Sequence, residues 1–173
     1  MALIFITGVP GSGKSAVEQG LEKLGYASYD ADSIGAAYNI QNGAIVKIPP
    51  AEERTPEWFK EHQWRVQRER VEQLKQESKV KPVFLCGTAS NEEDLWDLFD
   101  QVFVLDIDEQ TLKHRILSRT DNDFGKNEHE LEEILARHKE SSRKLSLPKV
   151  TAIDASQPLD SVIQEVLDKA DIT

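Results

Sequence analysis

The segment from Gly8 to Ser15 constrains the fold of this chain more than any other. It reads Gly-Val-Pro-Gly-Ser-Gly-Lys-Ser and fits the pattern G-x-x-x-x-G-K-[S/T]. The apolar run at residues 2–6 precedes it and predicts a buried strand, and Val17, Leu21 and Leu24 follow it at a helical spacing that puts them on one face. A strand, a glycine-rich loop and a helix in this order are the context that the motif requires. The alternative is a chance match, which the correct flanking pattern disfavours.

The residue types in this segment suit the binding of a nucleotide triphosphate. Glycines let successive backbone N–H groups surround phosphate oxygens with no Cβ in the way, and the helix N-terminus adds free donors. Lys14 is predicted to reach the β- and γ-phosphates, and the Ser15 hydroxyl to bind Mg²⁺. The residues predicted to contact the nucleotide are Gly8, Val9, Pro10, Gly11, Ser12, Gly13, Lys14, Ser15 and Ala16.

Charge and composition exclude several classes of function. The 173 residues carry a formal net charge of −10, which argues against binding to nucleic acids or to anionic membranes. A phosphorylated ligand therefore needs a local cluster of basic residues. The single cysteine, Cys86, permits no internal disulfide and agrees with a reducing cytoplasm. We expect neither a signal peptide nor a membrane span, because no apolar run approaches about 18 residues.

Strand and helix patterns alternate along the chain. This alternation predicts one domain over residues 1–173, an α/β fold with a parallel sheet covered on both faces. Residues 41–54 are predicted to form a loop. The predicted strands are residues 2–6, 26–29, 83–87, 102–107 and 148–154, and the helices include 55–78, 90–99 and 128–145.

Two acids, Asp30 and Asp32, follow the second predicted strand. Ligands of open α/β sheets bind at the carboxyl ends of the strands, so at least one of these carboxylates is predicted to face the phosphate site. It would act as an outer-sphere Mg²⁺ ligand or as a partner to a substrate hydroxyl. The alternative is that either residue caps the segment that begins near Ser33.

Arginines lie on both sides of a polar, glycine-containing segment at residues 120–127. Arg115 and Arg119 share one helix face before it, and Arg137 and Arg143 follow it. A mobile segment of this kind could bring positive charge to a phosphoryl group as the site closes. The alternative is an ordinary exposed turn flanked by surface arginines.

Over nearly its whole length the chain resembles the nucleoside monophosphate kinase and shikimate kinase group of P-loop proteins. The resemblance rests on residues 8–15, Asp30-Ala31-Asp32, the arginine-containing stretch 112–119 and Ile153-Asp154-Ala155-Ser156-Gln157-Pro158. It implies a three-layer P-loop NTPase fold with a five-stranded parallel sheet in the order 2-3-1-4-5 and helices on both faces. It also implies a substrate-binding region at about 31–80 and a short lid at about 119–128.

The resemblance assigns roles to individual residues. Asp30 would help to hold Mg²⁺ through water, and Asp32 would bind the acceptor hydroxyl. Arg115 would face the transferring group, and Arg119 would stack near adenine or contact phosphates. The other residues that it implicates are Arg137 for phosphate contact and Ala155 and Gln157 in the adenine pocket.

The chain departs from this group in two places. The third strand typically ends in Asp-Gly, whereas here it ends in Cys86-Gly87, which leaves Asp30 as the expected metal carboxylate. The arginine that usually grips the acceptor has no clear match: Arg54 is nearest by spacing, and Arg70, within the apolar sector of the predicted helix 55–78, is the alternative. Arg54, Arg70 and Gly87 are thus the further substrate-binding candidates.

These observations favour an ATP- and Mg²⁺-dependent kinase that transfers the γ-phosphoryl group to a small molecule. The acceptor would be a metabolite or nucleoside hydroxyl or a nucleotide phosphate, with Lys14, Asp32, Arg115 and Arg119 as the catalytic residues. The alternative is a nucleotide-dependent switch that acts through a protein partner. Neither nucleic acid nor membrane is expected as a partner, and a cytoplasmic monomer or homodimer is expected.

Overall fold

The computed structural model describes residues 1–50, 53, 55–120, 123–170 and 172. Its strands are β1 (Leu3–Thr7), β2 (Ala27–Asp30), β3 (Gly35–Asn39), β4 (Ile45–Val46), β5 (His62–Val66), β6 (Val83–Cys86), β7 (Gln101–Asp106) and β8 (Val150–Asp154). Its helices are α1 (Lys14–Lys23), α2 (Pro56–Glu61), α3 (Arg68–Glu77), α4 (Glu109–Ser118), α5 (Glu128–Lys144) and α6 (Leu159–Lys169), with short 3-10 helices at Ala31–Ile34 and Glu93–Leu98.

The main sheet has five parallel strands in the order β2-β6-β1-β7-β8. Counted along the chain within this sheet, that order is 2-3-1-4-5, so the predicted fold class is confirmed. Strand β1 lies at the centre, where Leu3 is in register with Val83 on one side and Ile4 with Gln101 on the other. All five of its residues are buried, which explains why the four before Thr7 are apolar.

Each face of the main sheet has its own apolar core. Ile4 and Ile6 pack with residues of α1 and α6 such as Leu21 and Val166. Side chains alternate along a strand, so Leu3 and Phe5 point to the opposite face. There they pack against α3 and the segment that ends at Phe99, whose ring stacks on Phe5 with 4.9 Å between centroids. The sheet therefore forms the middle of three layers.

A second, smaller sheet lies between β2 and α3 in the chain. It is antiparallel, in the order β4-β3-β5, and β4 falls within the segment predicted to be a loop. The prediction of one helix from Thr55 to about Ser78 was wrong, because α2 ends at Glu61 and His62–Val66 pairs with β3 before α3 begins. The helical pattern had combined apolar residues that belong to three separate elements. Gly35 leaves room for the Trp64 indole, because a Cβ at position 35 would lie only 2.6 Å from the nearest indole atoms.

The connection between α4 and α5 runs from 119 to 127, the region in which the lid was predicted. Its residue Gly125 is buried, and a Cβ there would lie 2.6 Å from Ile134 and 2.9 Å from Ile116. Its backbone N–H donates to the Glu130 carboxylate at 2.7 Å. This end of the segment therefore packs on the two helices that it joins. Among the described helices, none has the length and apolar character needed to cross a membrane.

Candidate functional site

The glycine-rich loop at residues 8–15, the predicted phosphate-binding loop, joins the centre of the main sheet to α1. Gly13 precedes the helix in a left-handed conformation with φ of 104°, and Gly11 has φ of 89°, values that side chains other than glycine rarely adopt. Gly11 also lies against α4, where a Cβ would be 2.8 Å from Ile116. The loop is therefore held from behind by α4.

Lys14 lies against the start of this loop. Its Nζ donates to the Gly8 carbonyl at 2.7 Å and to the Val9 carbonyl at 3.0 Å. Burial lowers the pKa of Lys14 to about 8, while the negative charges of Glu92, Asp32 and Asp30 act in the opposite direction, Glu92 most strongly. The Lys14 ammonium is therefore a desolvated cation that is well placed to bind an anionic ligand.

Arg115 is the second cation at the loop. Its Nη1 donates to the Ser12 carbonyl at 3.4 Å and would lie 3.8 Å from a Cβ on Gly13. Helix α4 positions it, since Leu112 and Ile116 of the same helix are fully buried in the core. The structure thus brings Lys14 and Arg115 to the same loop.

The two acids after β2 lie near Lys14, since both contribute to its pKa. Asp30 accepts a hydrogen bond from the Asp32 backbone N–H at 2.8 Å and so caps the short 3-10 helix, which is the alternative considered for it. Partial burial and the charge of Asp30 raise the pKa of the Asp32 carboxyl, against the effect of Lys14. Gly87 allows Ala31, the residue between the two acids, to lie against the end of β6, because a Cβ at position 87 would be 2.3 Å from the Ala31 Cβ.

The other predicted arginines that the structure describes form hydrogen bonds or ion pairs with residues close to them in the chain. Arg119 donates to the Phe124 carbonyl within the lid segment, and Arg137 pairs with Glu133 one turn earlier on α5. Arg70 is exposed and donates to Gln73, so its predicted place in an apolar sector was wrong: Val71 and Leu74 supply the buried face of α3. Arg54 lies outside the described residues.

The segment after β8 was predicted to line the adenine pocket. Ala155 is buried, and its N–H donates to the Asp106 carbonyl at 2.7 Å. The Gln157 amide donates to the Asp154 carboxylate at 3.1 Å, and the Ser156 backbone N–H donates to it at 3.0 Å. These contacts fix the turn at the same edge of the sheet as the phosphate-binding loop.

Cys86 occupies the position where the resembled kinases carry an acid. Burial raises the pKa of its thiol to about 12, so it remains neutral, and its sulfur lies 4.0 Å from the Ser28 hydroxyl. It therefore supplies no negative charge to the site.

Glu92 is the carboxylate that the sequence analysis missed. Only 4% of its surface is exposed, and it accepts hydrogen bonds from the Thr7 hydroxyl at 3.0 Å and the Ala89 N–H at 3.4 Å. It also pairs with Lys144 of α5. The helix predicted over residues 90–99 is a 3-10 helix from Glu93 to Leu98, and the Ser90 hydroxyl before it donates to the Trp64 carbonyl at 2.9 Å. Only tertiary structure brings Thr7, Glu92 and Lys144 together, so no local pattern marks Glu92.

The loop suits a Mg²⁺-bound polyphosphate better than a free metal ion. Within the described ranges, no three His, Cys, Asp or Glu side chains form a cluster that could hold a metal by themselves. Proteins commonly bind Mg²⁺ through one or two carboxylates together with substrate phosphates. Ser15, which is exposed at the first turn of α1, and Asp30 are the residues that fit this mode.

Three solved structures share the fold over almost all of this chain. A sugar kinase from Janibacter sp. is 19% identical, covers 99% of this chain and 95% of its own, and gives a TM-score of 0.60. A deoxyadenosine kinase from M. mycoides is 18% identical with 98% of both chains covered and a TM-score of 0.54. A gluconokinase from Sinorhizobium meliloti is 20% identical, with 95% of this chain and 89% of its own covered and a TM-score of 0.53.

These likenesses confirm the fold that the resemblance to P-loop kinases implied. A search of curated proteins gave no match. A family model described as AAA domain matches residues 4–136, which is well over half of the chain, and the protein therefore belongs to the AAA domain family.

Proposed function

We propose that this protein is an ATP- and Mg²⁺-dependent kinase that transfers the γ-phosphoryl group of ATP to a small-molecule acceptor. The observation that carries the proposal is the convergence of two cations, Lys14 and Arg115, on one glycine-rich loop, with Asp30 and Asp32 close enough to act on the charge of Lys14. Phosphoryl transfer depends mainly on positioning and on charge stabilisation, and these residue types supply both. The three similar structures are described as kinases of a sugar, of deoxyadenosine and of gluconate.

The nucleotide would bind with its phosphates in the loop. Lys14 would leave the Gly8 and Val9 carbonyls and turn to the β- and γ-phosphates, and Arg115 would face the transferring group. Ser15, with Asp30 through water, would hold Mg²⁺, which when bound neutralises charge on the β- and γ-phosphates. Ala155 and Gln157 would line the adenine site, and Arg119 and Arg137 would contact the nucleotide as the lid closes.

Asp32 would orient or deprotonate the acceptor. Its raised pKa brings the carboxylate closer to the value that suits a general base near neutral pH. An acceptor phosphate would meet the negative charges of both Asp30 and Asp32, whereas a hydroxyl can donate to either carboxylate. We therefore favour a hydroxyl acceptor, bound beside Gly87 and the small sheet formed by β3, β4 and β5.

The reaction is testable by ATP turnover with a panel of sugars, sugar acids and nucleosides. One acceptor should stimulate turnover strongly, with a phosphorylated product visible by phosphorus NMR or mass spectrometry. Lys14→Met should abolish turnover, whereas Glu93→Gln, a charge-removing change at an exposed site, should leave it unchanged. Turnover stimulated by a protein and by none of these molecules would instead favour a nucleotide-dependent switch.

The environment of Cys86 concerns the cellular compartment in which the protein works. The thiol is free and buried in the main core. We propose that the enzyme works in the cytoplasm, where a free thiol is stable and ATP is available. Localisation of a fluorescent fusion in the source cells tests this assignment.

A further inference from the structure

Glu92 connects three parts of the fold at the base of the phosphate site. The Thr7 hydroxyl that donates to it belongs to the last residue of β1, directly before the loop glycine whose carbonyl accepts Lys14. The Ala89 N–H lies in the connection after β6, and Lys144 is the last residue of α5. The buried Glu92 carboxylate therefore bridges β1, the connection that follows β6, and α5.

The contacts of Glu92 argue against a role as the general base. One carboxylate oxygen accepts from both Thr7 and Ala89, and the other pairs with the Lys144 ammonium. A buried carboxylate held by donors from three elements cannot turn toward an acceptor without losing them. Asp32, which is exposed, keeps that freedom.

Lys144 lies on the same helix as Arg137. Seven residues separate it from Arg137, which is close to two full helical turns, so the two side chains share one face. Arg137 therefore lies about 10 Å nearer the lid along the same face. The Glu92–Lys144 pair therefore ties the C-terminal end of the helix that carries Arg137 to the segments beside the phosphate-binding loop.

We propose that Glu92 and Lys144 are positioning residues that hold α5, and with it the lid and Arg137, in a fixed relation to the phosphate-binding loop. The pair does not touch the reacting atoms. It sets the place to which the lid returns each time a nucleotide binds. This inference rests on the proposed function, because it assigns the pair a task in nucleotide binding.

Hydrogen exchange with and without ATP and Mg²⁺ tests the proposal. In the wild type, ATP should slow exchange across residues 123–137 as the lid closes. Glu92→Gln places an amide opposite Lys144, and the double variant Glu92→Gln/Lys144→Met removes both charges while keeping similar volumes. In either variant the loop should bind ATP with a Kd within about threefold of the wild type, but the protection of 123–137 should be lost and basal ATP hydrolysis should fall at least about tenfold.

Controls separate this role from a general effect on folding. Glu93→Gln makes the same chemical change at the exposed neighbour and should behave as the wild type, and Lys144→Arg should retain the protection because it preserves the ion pair. If Glu92→Gln does not fold, the double variant, which leaves no buried charge unpaired, replaces it. A double variant with wild-type protection and hydrolysis overturns the proposal, and so does one that loses hydrolysis while protection persists, since that result places Glu92 in the chemistry. A wild type that binds no ATP refutes the proposed function instead.

Discussion

Replacing Lys14 by methionine should stabilise the nucleotide-free protein while abolishing ATP binding. Burial holds the pKa of Lys14 at about 8, against an ordinary value of 10.5. The difference corresponds to a cost of about 3 kcal/mol for keeping the ammonium charged in the folded state at neutral pH. Methionine avoids this cost but forfeits the bonds to the Gly8 and Val9 carbonyls, which offset part of the gain. We expect a net gain of about 1–2 kcal/mol and a rise in Tm of about 3–6 °C.

The pH dependence gives this prediction a second test. Between pH 8 and 10.5 the unfolded chain keeps the proton that the folded protein has released, so the stability of the wild type rises with pH in that window. Urea unfolding of both proteins, without nucleotide or magnesium, should therefore show the largest advantage of Lys14→Met below pH 8 and progressively less toward pH 10. Lys47→Met, at an exposed lysine, serves as the control. A Lys14→Met variant less stable than the wild type at pH 7, or an advantage that does not shrink as pH rises, would refute the reasoning.

Three further changes probe the site from other directions. Gly87→Ala should destabilise the fold by about 1–3 kcal/mol in urea unfolding, since its Cβ would lie 2.3 Å from that of Ala31, and adding Ala31→Gly should recover part of the loss. Asp32→Asn should lower acceptor-dependent turnover by about 10²–10⁴-fold, while the ATP affinity measured by calorimetry should change little. Because the pKa of Asp32 is raised, the wild-type rate should begin to fall, as the pH is lowered, at a higher pH than it would with an ordinary aspartate. Lys144→Met should cost up to about 3–5 kcal/mol by leaving the Glu92 carboxylate buried without its cation, a loss that Glu92→Gln should largely reverse.

The parts of the structure that follow local rules could be predicted from the sequence. The loop at residues 8–15 needs glycines at left-handed positions and a helix N-terminus, and both requirements are visible in consecutive residues. The three central strands of the main sheet, β1, β6 and β7, are mostly buried and appear as short apolar runs because both faces of the sheet are covered. Their spatial order came from the resemblance to a known group, since strand periodicity carries no information about neighbours in space.

The segment 55–78 shows where local patterns fail. Its apolar residues satisfy a helical period by coincidence, yet His62–Val66 forms a strand because β3 offers unpaired backbone groups along Gly35–Asn39. A strand of five residues within a helical pattern is stabilised mainly by a partner that lies more than twenty residues away in the chain. Pairing of this kind overrides intrinsic propensity, which contributes only a fraction of a kcal/mol for each residue.

The same reasoning explains why Glu92 could be recognised only in the folded protein. A carboxylate next to Ser90 and Asn91 is typical of a helix start, and most such residues face solvent. Its burial becomes tolerable only when Thr7, Ala89 and Lys144 supply donors, and the ammonium comes from a residue 52 positions away. Cys86 leaves the end of β6 without charge, and the buried carboxylate of Glu92 is the negative charge that acts most strongly on Lys14. The chemistry of this site therefore depends on which charges the fold encloses, and that choice is made by tertiary contacts.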